Sequence, residues 1–485
     1  MSYVATNSNA PWIVSLLVRV TTHLETDYLV VGAGAAGMAF TDELIAQAHD
    51  VDVVMVDRRD RPGGHWNDAY PFVRLHQPAA FYGVNSRMLG HDAIEPSGPN
   101  AGMYEQSNAD EICDYFHRVL TETLLTSGRV RFLGKTEHLG EAGGEHQLSS
   151  CLTGNTTTVR VNKAVVDATY QEAAIPKTHR PGFRVAPDAG CISVNDLVSI
   201  AEPPAGFVVI GAGKSAMDAC SWLLRHDIDP QRITWIRPRD AWLLNRAWTQ
   251  PLDQVASIVD AVSRDLEACA NATTVAEVFD VLEGCGRLLR LDPDVRPTMY
   301  RCATASEAEV DELRSITNVI RLGRVHEIGT DEIRLEQGSI PTRPENVHVD
   351  CTAGGLRTSA ARPVFEPGRI TLQQIRTCQP TFNAAFIAYV EATRAGVEDK
   401  NALCPPNQYP DTDVDMLRGI LVQQLANNLW NRTPDVLEWM ERSRLNVVRT
   451  MNDHMDEPRM QESLGRYLTS IEPGMANIER LLATA

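Results

Sequence analysis

Short, continuous apolar runs recur along the first three-quarters of this chain, the pattern of strands covered on both faces rather than of half-exposed ones. Residues 26–31 (TDYLVV) form one such run. They lead into a glycine-rich turn at 32–37 (GAGAAG), a helical stretch at 38–48 and a second apolar strand at 51–56 that stops at Asp57. The same order returns later: an apolar strand at 207–210, the turn 211–216 (GAGKSA), a helix at 217–225 and a strand at 233–236 that stops at Arg237-Pro238-Arg239. Between these units and the chain's end the period changes. Val255, Ile258, Val259, Val262 and Leu266 fall at helical spacing, and 274–282 reads as another helix; the two either cover a substrate pocket or simply pack. Beyond residue 405 the chain is helical. Leu417, Leu421, Leu425 and Leu429 repeat every four residues, and Thr433-Pro434-Asp435 has the form of a cap with proline in the first turn. Segments 414–432 and 434–450 are expected to pair as a hairpin, with more helix to 483.

Each part of the first unit has a physical task. Gly32 permits the tight turn, Gly34 (with Ala36 in the same loop) lets backbone approach a pyrophosphate, and Gly37 lets helix and strand touch. The helix start offers unpaired N–H groups and a favourable dipole to that phosphate. Asp57, 20 residues past Gly37, is where a carboxylate would take ribose hydroxyls. After it comes Arg58-Arg59-Asp60-Arg61-Pro62-Gly63-Gly64-His65-Trp66. Gly63 and Gly64 allow close backbone approach to something large and flat, and Trp66 is placed to pack beside it. Arg58 or Arg59 would help neutralise the pyrophosphate, with a solvated surface as the plainer alternative. A β–α turn without ligand is the plainer reading of the whole unit.

The second unit differs in its cations. Gly211, Gly213, Lys214 and Ser215 form the loop, Ala216 stands where the third glycine would, and the strand after it ends in arginines rather than an acid. An acid there would repel a 2′-phosphate, whereas Arg237 or Arg239 would pair with it, so NADPH is favoured over NADH. Ordinary exposed arginines on a turn are the alternative.

Two such units about 180 residues apart, the first followed by Gly-Gly-x-Trp, resemble the flavoproteins with two dinucleotide-binding domains, and most of all the flavin-containing and Baeyer–Villiger monooxygenases. The likeness runs over residues 26–395. Ala164–Tyr170 resembles the strand-ending Ala-Thr-Gly element of that family, with Tyr170 in place of the glycine, and Val347–Gly354 resembles its later counterpart. Residues 130–133, 147–152 and 157–161 would form the small meander beside the first sheet. The Phe-x-Gly-x-x-x-His signature of the monooxygenases is not matched, because that interval reads IPKTHRPGF at 175–183. Disulfide reductases are disfavoured, since no cysteine occurs between Met1 and Ile112.

The resemblance implies an α/β fold of two Rossmann-like three-layer domains plus a helical C-terminal region. An FAD domain (26–200) would be interrupted by an NAD(P)H domain with a helical insertion (205–346) and resumed at 347–400. An extension would occupy 1–25 and the helical region 401–485, with Pro203-Pro204 as a stiff boundary. It further implies FAD and NADPH as cofactors, O2 as co-substrate, and oxygenation of a small organic substrate through a flavin C4a-(hydro)peroxide. An NADPH-dependent reductase or dehydrogenase without oxygen insertion is the alternative. By the same likeness, Gln77 and His76 fall near the reactive ring edge, His76 as a group exchanging protons near neutral pH. Arg246 would stabilise an anion or grip substrate, with a structural ion pair as its alternative.

Composition narrows the setting. With 45 basic and 63 acidic residues the net charge is -18, which opposes a nucleic-acid or anionic-membrane surface and favours the cytoplasm. Ten cysteines show no CxxC or zinc-ribbon spacing, so reduced, buried thiols are expected and no metal. The apolar run at 12–20 is too short to cross a bilayer. The C-terminal helices suit a homodimer interface, a cap, or packing on the first domain.

Overall fold

The computed structural model describes residues 22–171, 173–356 and 359–484. Most of the expected extension, residues 1–21, lies outside them. Residues 22–25 already belong to the first strand, β1 (Thr22–Val31), whose polar outer half is held by pairing rather than burial. Helix α1 (Ala35–Gln47) follows the first glycine turn and leads to β2 (Val53–Val56), buried throughout. Then come β3 (Val130–Leu133), the hairpin β4 (Thr136–Ala142) and β5 (Glu145–Ser150), and the long β6 (Thr156–Asp167). The expected meander is corrected here. Residues 130–133 pair parallel with β2 at the sheet's edge, while 157–161 and 164–167 are one strand, paired parallel with β1 and antiparallel with β5.

The second sheet is assembled from β7 (Cys191–Ser193), β8 (Gly206–Ile210), β9 (Ile233–Ile236), β12 (Val319–Ile320) and β13 (Asn346–Asp350), in the order β12-β9-β8-β13-β7 and parallel throughout. Helix α2 (Lys214–Arg225) connects β8 to β9. Residues 191–193 and 347–350 thus pair within the second sheet, although the sequence placed them with the first unit. Apolar runs show that strands exist but not which ladder they join. Inserted before β12 are β10 (Ala241–Asn245), α3 (Ala256–Asn271), α4 (Val275–Gly284) and β11 (Met299–Ala305). The chain then returns: β14 (Arg369–Thr371) adds parallel to β6, so the first sheet reads β14-β6-β1-β2-β3. Helix α5 (Pro380–Thr393) then packs along α1.

The C-terminal region holds α6 (Asp413–Asn431), α7 (Pro434–Arg442) and α8 (Pro458–Thr484). Helix α7 stops eight residues before the expected 450. Arg444, just past it, donates to the carbonyls of Ala80, Tyr82 and Val84, which fixes this stretch as an anchored loop. The leucine stripe of α6 precesses, since a four-residue step overshoots a turn by about 40°: Leu417 is buried, Leu425 and Leu429 are exposed. The insertion helix α3 packs against α8. A Cβ on Gly474 would lie 2.8 Å from the Leu266 carbonyl, and Asn477 donates to the carbonyls of Cys269 and Ala272. Of the two roles weighed for the insertion helices, packing is the one these contacts describe.

The expectation of wholly reduced cysteines is also corrected. Cys302 and Cys378 form a disulfide across 76 positions of sequence, a proximity created by the fold and invisible in spacing.

Candidate functional site

Both glycine turns sit at the carboxyl end of their sheet's central strand, where neighbouring connections diverge and leave a crevice. At the first, Val31 of β1 is level with Val56 of β2 and Asp167 of β6. Gly32 turns with φ 103°. A Cβ on Gly37 would lie 2.0 Å from the Gly32 carbonyl oxygen, so α1 can start this close to its strand only with glycine there. Gly34 is the N-cap, half-buried like Ala36, and the first-turn N–H groups have no intrahelical acceptor. The segment after β2 closes over the turn through backbone alone. Gly63 donates to the Ala33 carbonyl at 2.9 Å, and a Cβ on Gly64 would stand 2.9 Å from the Gly34 Cα. At that contact, glycine meets glycine with no side chain between them.

Asp57, the carboxylate expected at a ribose, is also bonded to this turn. It is 7% exposed; one oxygen accepts from the Ala33 N–H and the other from the Arg59 N–H, both at 2.8 Å. The carboxylate expected to take hydroxyls therefore braces the loop. Arg58 is exposed, whereas Arg59 is tied to Asp68 at 2.9 Å. Trp66 is buried in the wall, its indole N–H donating to the Tyr82 hydroxyl at 2.7 Å. Level with Asp167 on the other side lies Thr371 of β14. Its Oγ1, and Oε1 of Gln379 at the N-cap of α5, are buried oxygens with no hydrogen-bond partner among the described residues. A buried polar atom left unpaired is costly, and a ligand with hydrogen-bonding edges would satisfy both. Together with the free helix start and the close glycine contact, they fit a phosphate-bearing cofactor with a polar ring, as FAD is.

The second turn is built differently. Gly211 turns with φ 142°, where a Cβ would meet the Cys351 carbonyl at 2.6 Å, and its own carbonyl accepts from the Trp235 indole at 2.8 Å. A Cβ on Gly213 would meet nothing within 4 Å, so this turn faces open space. Ala216, fully buried, takes the third glycine's place. Lys214 folds back onto Asp218, which also accepts the Tyr70 hydroxyl at 2.6 Å, with Ser215 beside that hydroxyl. Arg237 is 3% exposed, lies over the Trp235 ring and contacts Asp240 at 2.9 Å without hydrogen-bond alignment. It is already neutralised. Arg239, exposed and in no ion pair among the described residues, is the available one of the two arginines expected to meet a 2′-phosphate. Burial pushes the Arg237 guanidinium down from its usual range, against the pull of Asp240.

Residues 66–77 run between the turns. The Phe72 ring stacks on Trp222 of α2 with centroids 5.3 Å apart, and Asn195 donates to the Asp68 carbonyl. Arg246, expected to face substrate or an anion, is instead 1% exposed and fully engaged. It donates to Oδ1 of Asn100, the carbonyls of His76 and Thr304, and Oε2 of Glu309 at 2.7 Å. The structural alternative weighed for it is what the geometry shows. Burial raises the Glu309 carboxyl, but Lys214 and Arg246 outweigh that and hold it at about 2. Burial and the nearby Lys214 push His76 down to about 4, which favours the neutral imidazole at pH 7. Gln77 donates to the Cys378 carbonyl at 3.3 Å. Asp218 and Glu309 belong to the site although sequence reasoning did not single them out. Only Asp218, one helical turn after Lys214, left a readable trace.

Residues 30–83 match the model of the NAD(P)-binding Rossmann-like domain. Among solved structures, the chain is similar in path to an OTEMO complex with FAD and NADP (TM-score 0.49, 14% identity, 76% of this chain and 84% of that one). It is likewise similar to cyclohexanone monooxygenase from Rhodococcus sp. Phi1 bound to NADP+ (TM-score 0.48, 13% identity, 76% and 85%). Among curated proteins, it is 45% identical over 442 residues to "Uncharacterized protein Rv2000" of Mycobacterium tuberculosis, covering 90% of this chain and 81% of the relative. "Uncharacterized protein Mb2023" of Mycobacterium bovis matches to the same extent. At that identity and coverage, the chain belongs to the family of these mycobacterial proteins.

Proposed function

We propose that this protein is an FAD-dependent, NADPH-utilising oxidoreductase that acts as a monooxygenase on a small organic substrate with O2. One observation carries the reading: two sheets, parallel about their central strands, each end that strand in a phosphate-ready glycine turn, and residues 66–77 run from one turn to the other. The first turn suits FAD, because Gly34, Gly63 and Gly64 offer bare backbone and Thr371 and Gln379 offer unpaired oxygens. The second suits NADPH, because Gly213 is open and Arg239, after the neighbouring strand β9, is exposed and in no ion pair among the described residues.

Bound flavin would supply hydride acceptance from the nicotinamide and, once reduced, reaction with O2. The protein's part is to bind, orient and keep water out. The N–H groups at the starts of α1 and α2 hold pyrophosphates, and Arg239 pairs with the 2′-phosphate. Arg246, itself held by Glu309, fixes the His76 carbonyl and so the loop between the two turns. No described helix is long and apolar enough to cross a membrane, and the acidic composition supports the cytoplasm as the site of action.

The test is a visible spectrum of the purified protein, followed by anaerobic NADPH and then 18O2 with candidate ketones, sulfides or amines. Yellow protein that bleaches with NADPH and places one labelled oxygen in product is the expected result. Bleaching without label in any product would favour the reductase alternative, and colourless protein that takes up no added FAD would end the proposal.

A further inference from the structure

Besides the main chain itself, one covalent cross-link joins the two units among the described residues. Cys302 lies on β11, within the insertion of the second unit, and Cys378 lies on the link from β14 to α5 in the first. The bridge meets the loop between the turns, since the Cys378 carbonyl accepts from Gln77. Arg246 grips the same loop from the other side, bonding the carbonyls of His76 and of Thr304 on β11. The stretch His76–Gln77 is therefore held against β11 twice, once by a buried guanidinium and once by sulfur. Both cysteines are in the left-handed region, at φ 52° and 60°, a backbone state seldom occupied by residues with a Cβ. Cutting the bond leaves the Cys378 side fastened by hydrogen bonds made outside β11. Its N–H donates to Gln374, and Thr377 accepts from Asn407.

We propose that Cys302–Cys378 is a thiol-controlled clasp between the two nucleotide-binding units, closed when oxidised and opened by a dithiol reductant. The remaining eight cysteines are unpaired, which suits surroundings that maintain thiols, and there a lone bridge is characteristically exchanged rather than permanent. Cys378 is half-buried and Cys302 is 8% exposed, so attack falls on the Cys378 sulfur. The reductant's thiolate bonds to that sulfur, the S–S bond breaks, and Cys302 leaves as a thiolate that takes a proton. The second thiol of the reductant then closes its own disulfide and releases Cys378 as a thiol. Two electrons and two protons pass from the dithiol to the protein. This inference does not depend on which nucleotides the turns bind.

The experiment uses the full-length protein purified in air. Alkylation in denaturant should label eight cysteines before dithiothreitol and ten after it. Amide exchange under native conditions should then quicken about tenfold in peptides covering 299–305 and 372–379, with the sheets' central strands unchanged. Reoxidation should restore the slow rates, and Cys302→Ser and Cys378→Ser should each reproduce the reduced pattern. Ten labelled cysteines before reduction, unchanged exchange in both peptides after it, or loss of global structure on reduction would each overturn the clasp, the last by making it a permanent staple. If neither variant folds, the reduction and reoxidation series on the natural sequence decides alone.

Discussion

The two glycine turns share a sequence pattern and a place in their sheets, yet they are stabilised by different forces. The first is a backbone construction: carbonyls, N–H groups and two facing glycines, with the Asp57 carboxylate turned inward to brace it. The second is an electrostatic construction. Lys214–Asp218, Arg237–Asp240–Arg321 and Arg246–Glu309 surround it, and its loop opens onto free space at Gly213. A backbone cradle leans on few charges but is intolerant of a single methyl group. A charged frame tolerates changes of shape but depends on every partner being present and ionised.

That contrast is most exposed by Glu309→Gln. It leaves Arg246, 1% exposed, without its carboxylate, and breaking such a buried pair costs about 3–5 kcal/mol. Thermal melts should show a large loss for this variant at neutral pH. The Glu309 carboxyl sits at about 2 when folded, below its ordinary range. Its stabilising contribution is therefore complete above roughly pH 4.5, the unfolded value, and disappears as pH falls toward 2. The difference from the natural sequence should shrink across that window. A variant as stable as the parent at pH 7 would remove the electrostatic half of the comparison.

Gly37→Ala tests the other half. Its new methyl would sit 2.0 Å from the Gly32 carbonyl, and overpacking of this kind costs about 1–3 kcal/mol or more. We expect a lowered melting temperature and loss of yellow colour on purification. The matching change in the second turn, Ala216→Gly, removes a methyl that is already accommodated and should cost no more than about 1 kcal/mol in helix propensity. Equal losses at the two positions would erase the distinction.

A smaller and more specific effect is expected at the arginines. Arg239→Ser removes a charge-assisted bond worth about 1.5–3 kcal/mol, roughly a 10- to 100-fold loss of preference for NADPH over NADH in kcat/KM. Arg237→Ser should leave that preference unchanged while lowering stability, because its partner Asp240 is left buried. The reverse assignment would show as a preference change at Arg237 alone.

The sequence was legible where function rests on contiguous residues. Both turns, with strand before and helix after, are read from about twenty neighbouring positions each, and α1 and α2 start within three residues of where the pattern places them. It was not legible where direction or distance decides. Nothing adjacent to Asp57 shows that its carboxylate turns back to Ala33, and nothing adjacent to Arg237 shows that Asp240 captures it while Arg239 stays free. The placement of 191–193 and 347–350 in the second sheet, and the meeting of Cys302 with Cys378, are products of strand order. Periodicity carries no information on that.

The parallel addition of β14 to β6 also fixes an order of events during synthesis. Every strand of the second sheet lies between Cys191 and Asp350, whereas the first sheet waits for Arg369–Thr371 to reach an edge that ended at Asp167. A nascent chain stopped at residue 350 would hold every strand of the inner sheet inside an unfinished outer one, with the β6 edge bare and open to the wrong neighbour. The nested gene order thus makes the outer module the vulnerable one while the ribosome is still translating.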